Sequence, residues 1–162
     1  MNFSKLFEMQ AALDTHIETQ HGLEKTDLTE KKIMALLVEV GELANETRCF
    51  KFWSKKPASP VEKVLEEYVD GIHFLLSLGI MKQLQAVVPA ASEPREHDLT
   101  SQFLNVFQAI NLFRCEQTAA SYTDMFAVYL ELGLLLGFDG NDIERAYTEK
   151  NIVNFERQEQ GY

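Results

Sequence analysis

Phe3, Leu6, Phe7, Leu13 and Ile17 fall on one stripe of helical period, and Gly22 closes it, so a first amphipathic helix is predicted from Phe3 to about Gln20. A second helix is predicted from Lys31 to about Phe50, where Ile33, Leu36, Leu37, Val40, Leu43 and Ala44 keep the period and Asp27 or Thr29 supplies the N-cap. Pro57 and Pro60 break it, because proline lacks the N–H and disfavours helical geometry in the preceding residue. A third helix starts at Pro60 or Val61 and runs to about Leu84; Val64, Leu65, Tyr68, Val69, Ile72, Leu75, Leu76 and Leu78 make it apolar enough to be central. Residues 89–98 (PAASEPREHD) read as a connecting loop. Leu99 to Ala120 and Ser121 to about Leu136 form two more apolar-periodic stretches, the second leaving at Gly137. Asp139 or Asn141 caps a last helix to about Gln158. No strand-like alternation and no internal repeat interrupts the pattern. The predicted class is all-α, an antiparallel bundle of about six helices joined by short loops.

Composition narrows what such a bundle does. With 162 residues, 46% of them hydrophobic, the chain is expected to bury one core as a single domain over 1–162. Lys and Arg number 15 against 25 Asp and Glu, a formal charge of −10, which disfavours nucleic acid as a partner because a polyanion would be repelled. No apolar run is long enough for a membrane span, and the opening MNFSKLFEMQ has no signal-peptide character, so a cytoplasmic protein is expected. Cys49 and Cys115 form no C-x-x-C pair and sit in apolar-periodic segments, as buried free thiols would.

The chemistry is concentrated in carboxylates. Glu39 and Glu42 lie three residues apart on the second helix, among Leu36, Leu37, Val40 and Leu43; Glu67 and Asp70 repeat the device on the third. One such pair is usually a solvated charge pattern. Two pairs inside apolar runs on consecutive helices, with Gly41 and Gly71 beside them, point instead to a shared inward site. Inward carboxylates that stay ionised need compensation, and Mg²⁺, with its preference for hard oxygen ligands and phosphate, is the suited cation. Gly41 and Gly71 reduce helix propensity and so mark places of close approach.

The arrangement E-x-x-E followed by E-x-x-D, met by Glu39, Glu42, Glu67 and Asp70, resembles the signature of the all-α nucleoside triphosphate pyrophosphohydrolases, which include MazG proteins and dimeric dUTPases. Together with LFEMQAALD near the start, KFWSKK after the second helix and KNIVNFERQEQGY at the end, it is most similar to the dimeric dUTPases, particularly the compact forms of Gram-positive bacteria and their phages. The resemblance implies that Glu39, Glu42, Glu67 and Asp70 hold Mg²⁺. It further implies that a metal-activated water attacks the phosphate chain of dUTP, and of dUDP, at the β-phosphorus to leave dUMP. Pyrophosphate (phosphate from dUDP) is the other product, and the enzyme is a homodimer. Glu39 is the candidate to accept the water's proton.

The remaining candidates follow the matched segments. Lys150, Asn154 and Arg157 share a face of the last helix and are assigned to the phosphates, as is Lys55 in the KFWSKK loop. The alternative for the helical three is a solvated helix end that suits the macrodipole. Gln10 and Asp14, spaced by four, and His73 are assigned to base and sugar, with Trp53 as an apolar wall. Larger relatives carry asparagine where Asp14 stands. A carboxylate accepts from uracil N3–H but donates nothing to O4, so Asp14 alone does not explain rejection of cytosine. Two other functions stay open at this point: a pyrophosphohydrolase with another base preference such as dCTP, and a non-catalytic helical interaction module. No segment identifies a regulatory protein partner.

Overall fold

In the computed structural model, residues 1–88, 94 and 98–161 are described, and they form six α-helices and no strand. The helices are α1 (Phe3–Gln20), α2 (Thr29–Thr47), α3 (Val61–Met81), α4 (Leu99–Glu116), α5 (Ala119–Leu135) and α6 (Gly140–Glu159), with a short 3₁₀ turn at Gln85–Val87. The fold is the all-α bundle that the periodicity predicts. The 89–98 connection lies outside the described residues, apart from Pro94 and Asp98.

Helix α3 is the hub. It packs against α1, α2, α5 and α6, and twelve of its residues are buried, from Val64 to Gly79. Helices α4 and α5 pair through a two-residue connection, Gln117–Thr118, so they run antiparallel. At Asp139 the chain turns by 105°, sending α6 back across α1 and α3. Among the described residues no single helix is long and apolar enough to cross a membrane.

Three helix C-termini differ from the sequence reading, for one reason. Helix α2 stops at Thr47, before the prolines, because Arg48 adopts the left-handed conformation (φ 59°). Gln83 (φ 58°) follows α3, which ends at Met81, and Gln117 (φ 49°) ends α4 at Glu116, so α5 starts at Ala119 under a Thr118–Ser121 capping box. At the start of α2 the N-cap position falls on Leu28, which has no capping side chain, rather than on Asp27 or Thr29; the Asp27 carboxylate, one residue earlier, receives the Thr29 N–H (2.9 Å) and hydroxyl (2.6 Å). Asp139 caps α6.

Close packing explains one glycine and leaves the other open. A Cβ on Gly71 would lie 2.0 Å from the Tyr129 hydroxyl, whereas nothing lies within 4 Å of one on Gly41. Gly41 therefore marks no close approach within this chain. The cysteine expectation is also corrected: Cys115, at the end of α4, is exposed and Cys49, just past α2, is half-buried.

Candidate active site

Helices α2 and α3 bring Glu39, Glu67 and Asp70 together, with one oxygen from each within 4.8 Å of the others. Glu67 is buried, while Glu39 and Asp70 are half-buried. Glu42, one turn along α2, is exposed and stands on the rim, close enough to raise the Glu39 pKa by repulsion. Burial, reinforced by the charges of Asp70, Glu42 and Glu67, pushes the Glu39 carboxyl up to about 7. Burial raises Asp70 as well, against the pull of Lys150.

Two lysines partly neutralise the cluster. Lys63 Nζ lies 2.6 Å from Glu67 Oε1, and Lys150 Nζ reaches Asp70 Oδ2 (2.7 Å) and Glu66 Oε1 (2.9 Å). The hydrogen bond to Glu67 holds the Lys63 ammonium above its ordinary range; for Lys150, burial opposes the charge but Asp70 and Glu66 outweigh it. Among the described residues no lysine or arginine pairs with Glu39 within 4.0 Å, and Lys150 only partly offsets the neighbouring carboxylates. The donor set is three hard oxygens with excess negative charge, which fits a divalent cation.

Beside the cluster, α1, α2, α3 and α6 enclose a cleft of about 360 Å³ whose lining includes Glu39, Asp70, His73, Gln10, Asp14, Lys150, Asn154 and Arg157. Eight of the predicted site residues thus meet at one cavity. Lys150 and Asn154 are half-buried there, and Arg157 is exposed at its edge. A continuous polar network runs along one wall. Gln10 Nε2 donates to Asp14 Oδ1 (2.7 Å), and Gln10 Oε1 receives the Tyr147 hydroxyl (2.7 Å) and lies 2.8 Å from His73 Nδ1. Lys32 pairs with Asp14 (3.2 Å) and Glu18 (3.0 Å), and the Ser77 hydroxyl donates to Asp14. His73 stacks on Tyr147 at 4.1 Å between ring centroids, and burial lowers its pKa to about 3.

Trp53 and Lys55 lie elsewhere. Both are exposed on the loop between α2 and α3 and neither lines the cleft; Trp53 is 65% exposed and packs edge-on against Phe50 and Phe52. Conversely, Lys32, Ser77 and Tyr147 line or support the cleft without having been singled out in the sequence. Ser77 and Tyr147 are lone polar groups in buried positions, and Lys32 is one of two adjacent lysines, so nothing local distinguishes them.

An all-α bundle that gathers carboxylates and lysines beside a cleft lined with donors and acceptors has the chemistry of an enzyme for a polar, phosphate-bearing substrate. The chain belongs to the dUTPase family, whose model matches residues 2–162. It is accordingly a dUTP diphosphatase, an enzyme that hydrolyses dUTP. Comparison with curated proteins gives no match.

Proposed function

We propose that this dUTPase works in the cleft described above as a Mg²⁺-dependent enzyme, converting dUTP, and dUDP, to dUMP with release of pyrophosphate or phosphate. The observation that carries the proposal is the convergence of Glu39, Glu67 and Asp70 within 4.8 Å, with Glu39 pushed up to about 7. Glu39, Glu67 and Asp70 would hold the cation, with Glu42 at the rim as the fourth ligand. Mg²⁺ supplies charge neutralisation of the phosphate chain and acidity toward water when bound.

The protein's own groups do the rest. Glu39, with a pKa near the working pH, accepts the proton of the attacking water. Lys150, Asn154 and Arg157 receive the phosphates from the α6 side, which requires Lys150 to exchange part of its contact with Asp70 for phosphate oxygen. Gln10, Asp14 and His73, further from the cluster, take the nucleoside. Trp53 and Lys55, on the exposed loop away from this cleft, would supply an apolar wall and a phosphate contact from a second copy of the chain, and the exposed apolar residues nearby support a homodimer. The reduced state of Cys49 and Cys115 suits action in the cytoplasm.

Pyrophosphate release from dUTP, dCTP, dTTP and UTP, with and without Mg²⁺, tests the assignment. Turnover led by dUTP and dependent on the cation is expected. Turnover led by dCTP would overturn the base assignment, and turnover in the presence of a chelator would overturn the role of the carboxylates.

A further inference from the structure

Asp14 Oδ2 accepts from Lys32 Nζ at 3.2 Å and from the Ser77 hydroxyl, so its Oδ1 also stands as an acceptor toward α1. Gln10, at 2.7 Å from Asp14 Oδ1, must therefore face it with its NH₂ end. That choice turns the Gln10 carbonyl the other way, where it receives the Tyr147 hydroxyl at 2.7 Å and meets His73 Nδ1 at 2.8 Å. A carbonyl oxygen only accepts, so Nδ1 carries the imidazole proton. The remaining nitrogen, Nε2, is then a bare lone pair. It is buried and has no hydrogen-bond partner among the described residues, on a side chain 5% exposed that lines the cleft. An unpaired buried acceptor is costly unless a ligand donor meets it.

We propose that Lys32 and Tyr147 are positioning residues that act through Asp14 and Gln10 to lock His73 in its Nδ1–H tautomer, so that His73 Nε2 accepts a hydrogen bond from a donor on the nucleoside. The proposal rests on the reading of this cleft as the dUTP site. Two groups of the substrate offer that donor: the imide N3–H of uracil and the 3′-hydroxyl of deoxyribose. If it is the imide, the lock supplies what Asp14 alone lacks. Cytosine carries no proton on N3, and two acceptors would then face each other. Polarity in this cleft is thus set from outside the contact itself, by a lysine on α2 and a tyrosine on α6.

The test is nitrogen NMR of the imidazole in ¹⁵N-histidine-labelled full-length protein, with the His73 resonances assigned by their loss in His73→Gln. The free wild type is expected to show a protonated Nδ1 and a bare Nε2, and the Nε2 resonance is expected to shift on addition of α,β-imido-dUTP. Tyr147→Phe and Lys32→Met are expected to mix the two tautomers and to raise the KM for dUTP about tenfold, the loss of one hydrogen bond, with a smaller change in kcat. N3-methyl-dUTP and 3′-deoxy-dUTP separate the two donors: the analogue that lacks the contacted proton suffers the larger rise in KM. A protonated Nε2 in the wild type overturns the lock, and so does a tautomer and KM unchanged in both variants. If the lock is found but the nucleotide leaves Nε2 unmoved, the assigned contact is wrong while the lock stands. Because the wild-type tautomer is read in the free protein, a variant that fails to fold does not remove the test.

Discussion

Glu39 bears the strongest electrostatic conflict in the carboxylate cluster, because burial and three neighbouring carboxylates all disfavour its charge. Its pKa of about 7 in the folded chain, against 4.5 for an unperturbed glutamate, means that the folded state binds a proton in that window which the unfolded state releases. Stability contributed by this group is therefore lost as pH rises from 4.5 toward 7. With a chelator present, the melting temperature is expected to fall across that interval; with saturating Mg²⁺ the slope is expected to flatten, because the cation favours the ionised form. Differential scanning fluorimetry against pH checks both. Glu39→Gln removes the proton acceptor while keeping the shape, so kcat is expected to drop by about 10²- to 10⁴-fold, and a turnover assay at saturating dUTP measures it. The same substitution is expected to stabilise the chelated protein near neutral pH, since it removes the conflict.

At the scale of elements, α3 and α5 hold the cluster's floor in place. The Tyr68 and Tyr129 rings stack at 4.8 Å, the Tyr129 hydroxyl donates to the Tyr68 carbonyl (2.8 Å), and the Tyr68 hydroxyl donates to the Tyr129 carbonyl (3.2 Å). Each hydroxyl sits over a glycine of the facing helix, Tyr129 over Gly71 and Tyr68 over Gly133. Gly71→Ala would drive a methyl to 2.0 Å from the Tyr129 hydroxyl and is expected to destabilise by about 1–3 kcal/mol in urea unfolding. That cost falls one residue from Asp70, so loss of activity should accompany it. The existence and order of the helices were legible because α1 to α4 repeat apolar residues at helical spacing, α5 is a nearly continuous apolar run, and Asp139 marks the start of the polar α6. Their ends were less so, because Arg48, Gln83 and Gln117 terminate helices in a left-handed conformation that their residue types do not announce. The carboxylate pairs were legible because i,i+3 spacing puts both members on one face. Of the Lys32–Asp14–Gln10–Tyr147 network only the Gln10–Asp14 pair, four apart on α1, was legible; the links to Lys32 and Tyr147 join different helices, and only packing reveals them. The exposed position of Trp53 was likewise out of reach, since an aromatic residue in a loop reads equally as wall or as packing.

Over the whole molecule, apolar surface is left uncovered on several elements. Met34 (60% exposed) and Val38 (43%) lie on α2, Leu104 (64%) and Leu112 (44%) on α4, and Phe52 (94%) and Trp53 (65%) on the α2–α3 loop. Such residues on a chain of net charge −10 favour burial against a second copy over non-specific association. Light scattering is expected to give about twice 18.5 kDa. Trp53 is the single tryptophan, so its emission should shift to the red if dilution separates the copies and uncovers it. The carboxylate cluster is tested most plainly by the initial rate of pyrophosphate release from dUTP as Mg²⁺ is titrated, in the wild type and in Asp70→Asn. Saturable activation from a zero baseline is predicted for the wild type, with at least about tenfold more Mg²⁺ needed by the variant, since it loses a charged ligand. Turnover without a divalent cation, or superimposable activation curves for the two proteins, would contradict the assignment of Glu39, Glu67 and Asp70 as the metal-holding centre.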